Sequence, residues 1–391
     1  MGKKTKPEEP TVYFAESRVR KWHYDHSVPA KLEELIARIG LSRYIEPGDY
    51  VAIKMHLGSP GAFKIVRPNF VRMIADAVKE VGGKPFVTDS VRMMGLEYLE
   101  NANRLGINQS SLGVPVVIAD GLYGRDGVLV KAGPLLGKTT VASTIYDAPA
   151  MIVVTHAKGH LEAGYAGAMK NLAMGAICTR DRSGSTRYTR GRMHALDHKS
   201  IIWREESCIL CGNCEAICPL GAIKVVDKKV VRDTQQCWLC LRCARVCPTG
   251  ALVGTMKQEE FQLGLAESVR AVLKTFDKEK IVYFNFAMDV QPECDCMPAA
   301  DNAVVADQGI FVSDDIVAID QATYDMIRYA APLPQSAAAD RKLKKGEDIL
   351  GGINTSAKPE LLINKCAQYR LGSKRYRLIK VAHKRRTTRR K

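Results

Sequence analysis

The segment from Cys208 to Pro248 constrains this chain more than any other. It contains the run C-x-x-C-x-x-C-x-x-x-C-P twice: Cys208, Cys211, Cys214 and Cys218 before Pro219, then Cys237, Cys240, Cys243 and Cys247 before Pro248. Three cysteines at such intervals let one loop wrap a face of an iron–sulfur cube, and the proline turns the chain away after a fourth thiolate. Two zinc sites would need neither the third C-x-x-C step nor the C-P ending. No C-x-x-x-C-x-x-C run occurs, which disfavours a radical S-adenosylmethionine site.

In two-cluster ferredoxins the fourth cysteine of each run ligates the other cluster. The expected ligand sets are therefore Cys208, Cys211, Cys214 and Cys247 for one [4Fe–4S] cluster, and Cys237, Cys240, Cys243 and Cys218 for the second. The copies CILCGNCEAICPLGAI and CWLCLRCARVCPTGAL imply a pseudo-twofold module over 205–255. Between them KVVDKKVV reads as a β-hairpin around Asp227-Lys228. Exposed clusters are oxygen-sensitive, so the motif fits a reducing compartment and an anaerobic setting.

The flanking sequence has another character. Strands are expected at Thr11–Glu16, Tyr50–Met55, Lys84–Asp89, Val114–Ala119, Met151–Thr155 and Lys280–Phe286, with short runs near Val304 and Ile310. Helices are expected at Pro29–Ile39, Pro68–Val81, Leu96–Leu105, Phe261–Phe276 and Asp314–Tyr329. Alternating strands and helices predict a mostly parallel sheet covered on both faces. The expected fold is thus α/β: a mostly parallel sheet domain with an inserted α+β two-cluster ferredoxin module. Its parts are 1–204 and 256–335 for the α/β domain, 205–255 for the module, and 336–391 for a basic C-terminal extension of uncertain order.

Composition narrows the partners. No apolar run is long enough for a membrane helix, and the start MGKKTK lacks an apolar leader core, so a cytoplasmic protein is expected. The formal net charge is +16, and residues 374–391 hold ten Lys and Arg with no acid. Such a surface suits an acidic electron-transfer partner, a ferredoxin or flavodoxin, steered in by charge. The tail also admits a nucleic-acid partner, although a solvated chain end is the commoner behaviour.

Polar residues gather where the strands should end: Lys54 and His56 after one, Asp89-Ser90 after another, His156, Lys158 and His160 after a third, Asn285 to Asp289 after a fourth. In open parallel sheets the ligand crevice lies at the carboxyl ends of strands. Within GHLEAGYAGAMKNLAMG, Gly164 and Gly167 precede a helix bearing Lys170 and Asn171. Glycine admits close backbone approach, and a helix start attracts an anion such as a cofactor phosphate. Cys294-Asp295-Cys296 is too constrained for a comfortable disulfide; in an extended segment both sulfurs would share a face, near Asp307 or the histidines, as metal ligands or thiolates. GPLLGKTT at 133–140 has one residue too few between its glycines for a P-loop, and no G-x-G-x-x-G follows a strand.

With HAKGH at His156–His160, GAMKNLAMG at Gly167–Gly175, the two cysteine runs, CDC at Cys294–Cys296 and the stretch from Asp307 to Ala322, the chain resembles the "uncharacterised iron–sulfur centre protein" group of the domain-of-unknown-function 362 family. The resemblance spans about 50–330 and implies a redox role beside the clusters, with FMN or prenylated FMN as the second cofactor. Lys54, His56, Lys158, His160, Gly164, Gly167, Lys170, Asn171, Cys294 and Cys296 are the expected lining of that site. Alternatives are a non-catalytic ferredoxin-like carrier and a nucleic-acid-associated iron–sulfur protein.

Overall fold

The computed structural model describes residues 9–92, 94–183, 187–196, 200–218, 221–234, 237, 241–255, 258–277 and 279–381. The chain forms two compact units: Met1–Met193 with Gln262–Lys391, and His194–Phe261. The second interrupts the first in sequence.

The first unit is built on an eight-stranded sheet. From edge to edge its strands are Arg377–Lys380, Thr11–Glu16, Gly309–Ser313, Ile281–Ala287, Ala150–His156, Tyr50–Lys54, Lys84–Asp89 and Val116–Ile118. Within this sheet Gly309–Ser313 alone runs against its neighbours; every other pairing is parallel. The two central strands, AMIVVTH and IVYFNFA, are buried at every residue, as expected of parallel strands covered on both faces.

Alternation of side chains sorts the two faces. Val51, Ile53, Val87, Ile152, Val154, Val282, Phe284 and Val312 join one core with Leu32, Leu35, Phe70, Ile74 and Tyr98 from the helices. The helix Val28–Ile39 starts where the Ser27 hydroxyl accepts from Ala30 N, carries proline in its first turn and stops at Gly40 in the left-handed region. Pro68–Glu80 buries Phe70, Val71, Ile74, Ala75 and Val78, a stripe at helical spacing. Lys54, Thr155 and Asn285 alternate with the residues of that core and so turn to the other face, which the helices Ala168–Gly175 and Ile316–Arg328 cover.

Several expectations are corrected. Residues near Val304 form no strand but a single bridge, Val305 to Pro332. The strand expected at Val114–Ala119 shrinks to Val116–Ile118. Residues 337–380, within the stretch expected as a basic extension, form the helices Ala337–Asp340, Ile349–Ile353 and Pro359–Gln368 and the edge strand beside Thr11–Glu16. Residues 382–391 of the basic tail lie outside the described residues.

The second unit also starts earlier than 205. Ser200–Trp203 pairs antiparallel with Leu252–Thr255 and so belongs with the cysteine segment. The Ile223–Val226 and Lys229–Arg232 strands form the expected hairpin, with Asp227 and Lys228 at φ 48° and 60°, as a two-residue hairpin turn of this kind requires. Each cysteine run carries one short helix, Asn213–Ala216 and Arg242–Arg245, and Cys214, Ile223, Cys243 and Leu252 share a small core.

Candidate functional site

In the second unit the two runs repeat their backbone as well as their sequence. Gly212 and its repeat equivalent Leu241 are both left-handed, at φ 74° and 59°. Gly221 and Gly250 are likewise at φ 59° and 66°, and each donates its N–H to the carbonyl of the preceding fourth cysteine. One pocket results that is lined by Cys208, Cys211, Cys214 and Cys247, together with Val225, Leu252 and neighbours. Three of these sulfurs come from one run and the fourth from the other. Leu252 N donates to Cys247 Sγ at 3.5 Å, and in the other copy Ala222 N, one position before the repeat equivalent of Leu252, donates to Cys218 Sγ at 3.2 Å. Of the second expected set, Cys218 packs against the core that holds Cys243, and Cys237 is half-buried; Cys240, like Pro219, lies outside the described residues. Among the described cysteines no disulfide forms.

In the first unit the strand ends meet as the parallel sheet dictates. Buried Lys54 ends one strand and buried Asp89 the next, and Lys54 Nζ lies 2.9 Å from Asp89 Oδ1. Lys54 also donates to Asn171 Oδ1, whose amide donates to Val154 O at 3.0 Å and Thr155 Oγ1 at 2.9 Å. The Tyr98 hydroxyl donates to Asp89 Oδ2 at 2.7 Å and lies 3.0 Å from His56 Nδ1. Burial would push the Asp89 carboxyl up; Lys54 and His56 more than offset it and hold it well below the usual carboxylate range. Burial lowers Lys54 despite Asp89. A Cβ on Gly175 would lie 2.1 Å from Lys54 Nζ and 2.3 Å from Asp89 Oδ1, so this pair requires glycine there.

Next to this pair lies the Cys294–Cys296 segment, a turn closed by Met297 N donating to Cys294 O, in place of the expected extended stretch. Asp295 is drawn away from its neighbours: Lys158 Nζ lies 2.9 Å from its Oδ2, while His156 Nδ1 and Gln291 Nε2 lie 2.8 Å and 3.0 Å from its Oδ1. Burial opposes its charge, but His156 and Lys158 hold its carboxyl at about 2. Gly159 seats the turn, because a Cβ there would meet Pro292 O at 2.1 Å. The two sulfurs and a ring nitrogen of His160 lie within 4.8 Å of one another. Lys170 Nζ donates to Cys294 Sγ at 3.3 Å, and Cys296 N donates to it at 3.4 Å. The Cys296 thiol, then Lys170, His160 and His56, hold the Cys294 thiol well below its ordinary range against its burial, whereas Cys296, donating to that sulfur and partly buried, is pushed well above.

The structure thus brings Lys54, His56, Lys158, His160, Lys170, Asn171, Cys294 and Cys296 into one part of the first unit, with Lys158 acting through Asp295. Three expectations are corrected. The helix start at Ala168 is closed by an internal anion: Asp320 accepts from Ala168 N at 2.7 Å and Met169 N at 2.9 Å. Gly167 approaches that carboxylate and Gly164, at φ 71°, approaches Pro359, so neither admits a ligand phosphate. Asn285 turns away from the crevice to donate to Asp320 Oδ1 and Thr323 Oγ1, and Asp307 accepts from Asp289 N. Sequence reasoning missed Tyr98, Gly175 and Asp320. An aromatic on the buried stripe of LEYLENANR was the available signal for the first, and the local sequence of the helix Ile316–Arg328 gave none for Asp320.

A family model described as "Domain of unknown function (DUF362)" matches residues 51–325. "Thylakoid-associated protein sll1697" of Synechocystis sp. is 30% identical over 152 residues, which cover 37% of this chain and 45% of that protein, so the chain spans less than half of this relative. Among solved structures, the lactate racemase apoprotein from Thermoanaerobacterium thermosaccharolyticum aligns with 95% of this chain and 83% of its own, at 11% identity and a TM-score of 0.37. No helix among the described residues is long and apolar enough to cross a membrane. The chain belongs to the DUF362 family.

Proposed function

We propose that this DUF362 protein is an iron–sulfur electron-transfer protein that takes electrons from an external donor onto two [4Fe–4S] clusters and delivers them to an acceptor in the α/β crevice. The observation that carries this reading is the pocket lined by Cys208, Cys211, Cys214 and Cys247. A zinc knuckle built from one run would have no use for a sulfur from the other, whereas a crossed fourth thiolate is the ligand pattern of two-cluster ferredoxins. A cluster held there would supply one-electron transfer at low potential. The chain's own part is to fix the four sulfurs, to aim backbone N–H groups at Cys218 and Cys247, and to cover the pocket with Val225, Val230 and Leu252.

The crevice supports the receiving end. Its charges are balanced in pairs, Lys54 with Asp89 and Lys158 with Asp295, which leaves Lys170 facing sulfur. A flavin phosphate has no place at the Ala168 helix start, which Asp320 occupies, so the reading does not rest on FMN or prenylated FMN. With a net charge of +16 the donor is an acidic protein, a ferredoxin or flavodoxin. The test is anaerobic mixing of the holoprotein with a reduced ferredoxin. Bleaching of the visible sulfur-to-iron bands, slowing as salt rises, is the expected result; protein without such bands would end the proposal.

A further inference from the structure

Cys294 and Cys296 belong to neither cysteine run, yet they are placed for chemistry of their own. The turn through Met297 and the pull of Lys158, His156 and Gln291 on Asp295 set both sulfurs on the same side. A metal ion would be one occupant for two sulfurs and an imidazole, but the His160 ring argues against it. The N–H groups of Glu162 and Ala163 both donate to His160 Nδ1 at 3.1 Å. Nδ1 therefore keeps its lone pair, and the neutral ring carries its proton on Nε2. That nitrogen is then a donor toward sulfur and has no lone pair to offer a metal. With Lys170 Nζ and Cys296 N also directed at Cys294 Sγ, the surroundings are those of a sulfur anion.

We propose that Cys294 and Cys296 form a reversible two-electron thiol–disulfide couple, which is the electron acceptor of the crevice; this rests on the electron-transfer reading above. In reduction the S–S bond takes two electrons and one proton and breaks, leaving Cys294 Sγ as thiolate and Cys296 Sγ as thiol. The electrons come one at a time from a low-potential iron–sulfur donor. In oxidation the substrate is a disulfide: Cys296, the more exposed sulfur, passes its proton to the Cys294 thiolate as it attacks, one substrate sulfur leaves as thiolate, and Cys294 then attacks the Cys296 sulfur while its proton goes to the second substrate sulfur, which leaves as thiol. Stabilising the thiolate stabilises the reduced form, so the Lys170 ammonium makes the couple more oxidising. The constrained C-x-C ring acts in the same direction, because a strained disulfide is the more readily reduced.

The test uses the full-length holoprotein under anaerobic conditions, equilibrated with graded ratios of reduced to oxidised glutathione, then acid-quenched, alkylated and read by peptide mass spectrometry. One two-electron transition is expected, between a 294–296 linked peptide and its doubly alkylated form. Lys170→Met should move the equilibrium at least tenfold toward the disulfide, about 30 mV, and Lys170→Arg should stay near the parent. Both cysteines remaining alkylated at every ratio would overturn the proposal, as would a bound metal ion that protects both thiols, or a Lys170→Met transition that does not move. Iron and sulfide measured on the same samples keep the two readings apart. Clusters without the couple would defeat this inference alone, and the couple in a protein that cannot hold iron would defeat the electron-transfer reading.

Discussion

In the unit of residues 194–261, four cysteines from two sequence runs line one pocket, and a core of a few side chains holds them. In the α/β unit, two cysteines lie on one turn beside a set of buried charges whose members come from the strands that hold Lys54, Asp89 and Lys158, from the helix Ala168–Gly175 and from the turn itself. The first arrangement depends on local spacing and left-handed backbone positions. The second depends on the sheet order, which brings Lys54, Asp89 and His156 together from distant parts of the chain. Damage to the first should remove a bound group and leave the large fold standing; damage to the second should lower the stability of the large fold and spare the bound groups.

The largest effect expected concerns the crossed sulfurs. Cys247→Ala should remove the cluster that Cys208, Cys211 and Cys214 otherwise hold, about half of the iron. Cys218→Ala should remove the other. Separate electron paramagnetic resonance signals would read this, and loss of the cluster of each residue's own run would break the assignment. Next come the buried charges. Lys54→Met leaves the Asp89 carboxylate without its cation and should cost about 3–5 kcal/mol by chemical denaturation, with iron content unchanged. Gly175→Ala forces a methyl between the same two groups and should cost about 1–3 kcal/mol. Iron loss in either variant, or a wild-type unfolding midpoint, would erase the contrast between the units.

How much of this was legible before the structure follows the same division. The joint lining of one pocket by Cys208, Cys211, Cys214 and Cys247, the hairpin at Asp227-Lys228 and most strands of the sheet follow from spacing, turn chemistry and apolar runs. Lys54, His156 and Lys158 were legible because polar residues at the ends of apolar strands are costly unless they meet, and Asn171 because it sits on the helix that follows the glycine-rich stretch. What escaped needed three dimensions. Tyr98 lies mid-helix and reaches Asp89 only because that helix crosses the end of its strand. Arg377–Lys380 is a short, charged edge strand that forms because Thr11–Glu16 offers it a ladder. Asp320 closes a helix 150 residues earlier in the chain, so the glycines before that helix looked like ligand-facing residues.

A smaller effect concerns Asp320. Its burial raises its carboxyl to about 6, outweighing the N–H donors at the helix start. The folded form therefore holds its proton to higher pH than the unfolded chain. This group's contribution is fully present below about pH 4 and is lost as pH rises to about 6. Asp320→Asn should flatten that part of the stability–pH curve; an unchanged slope between pH 4 and 6 would contradict it. The smallest effect is at the basic end: deleting 383–391 should slow reduction by an acidic ferredoxin only modestly, and a collapse of the rate would make the tail the docking site.

The most direct measurement of the central claim is the iron and acid-labile sulfide content of protein purified without oxygen. The account predicts about eight iron and eight sulfide per chain, from two clusters on eight thiolates. Four iron per chain, or zinc in place of iron without sulfide, would contradict it.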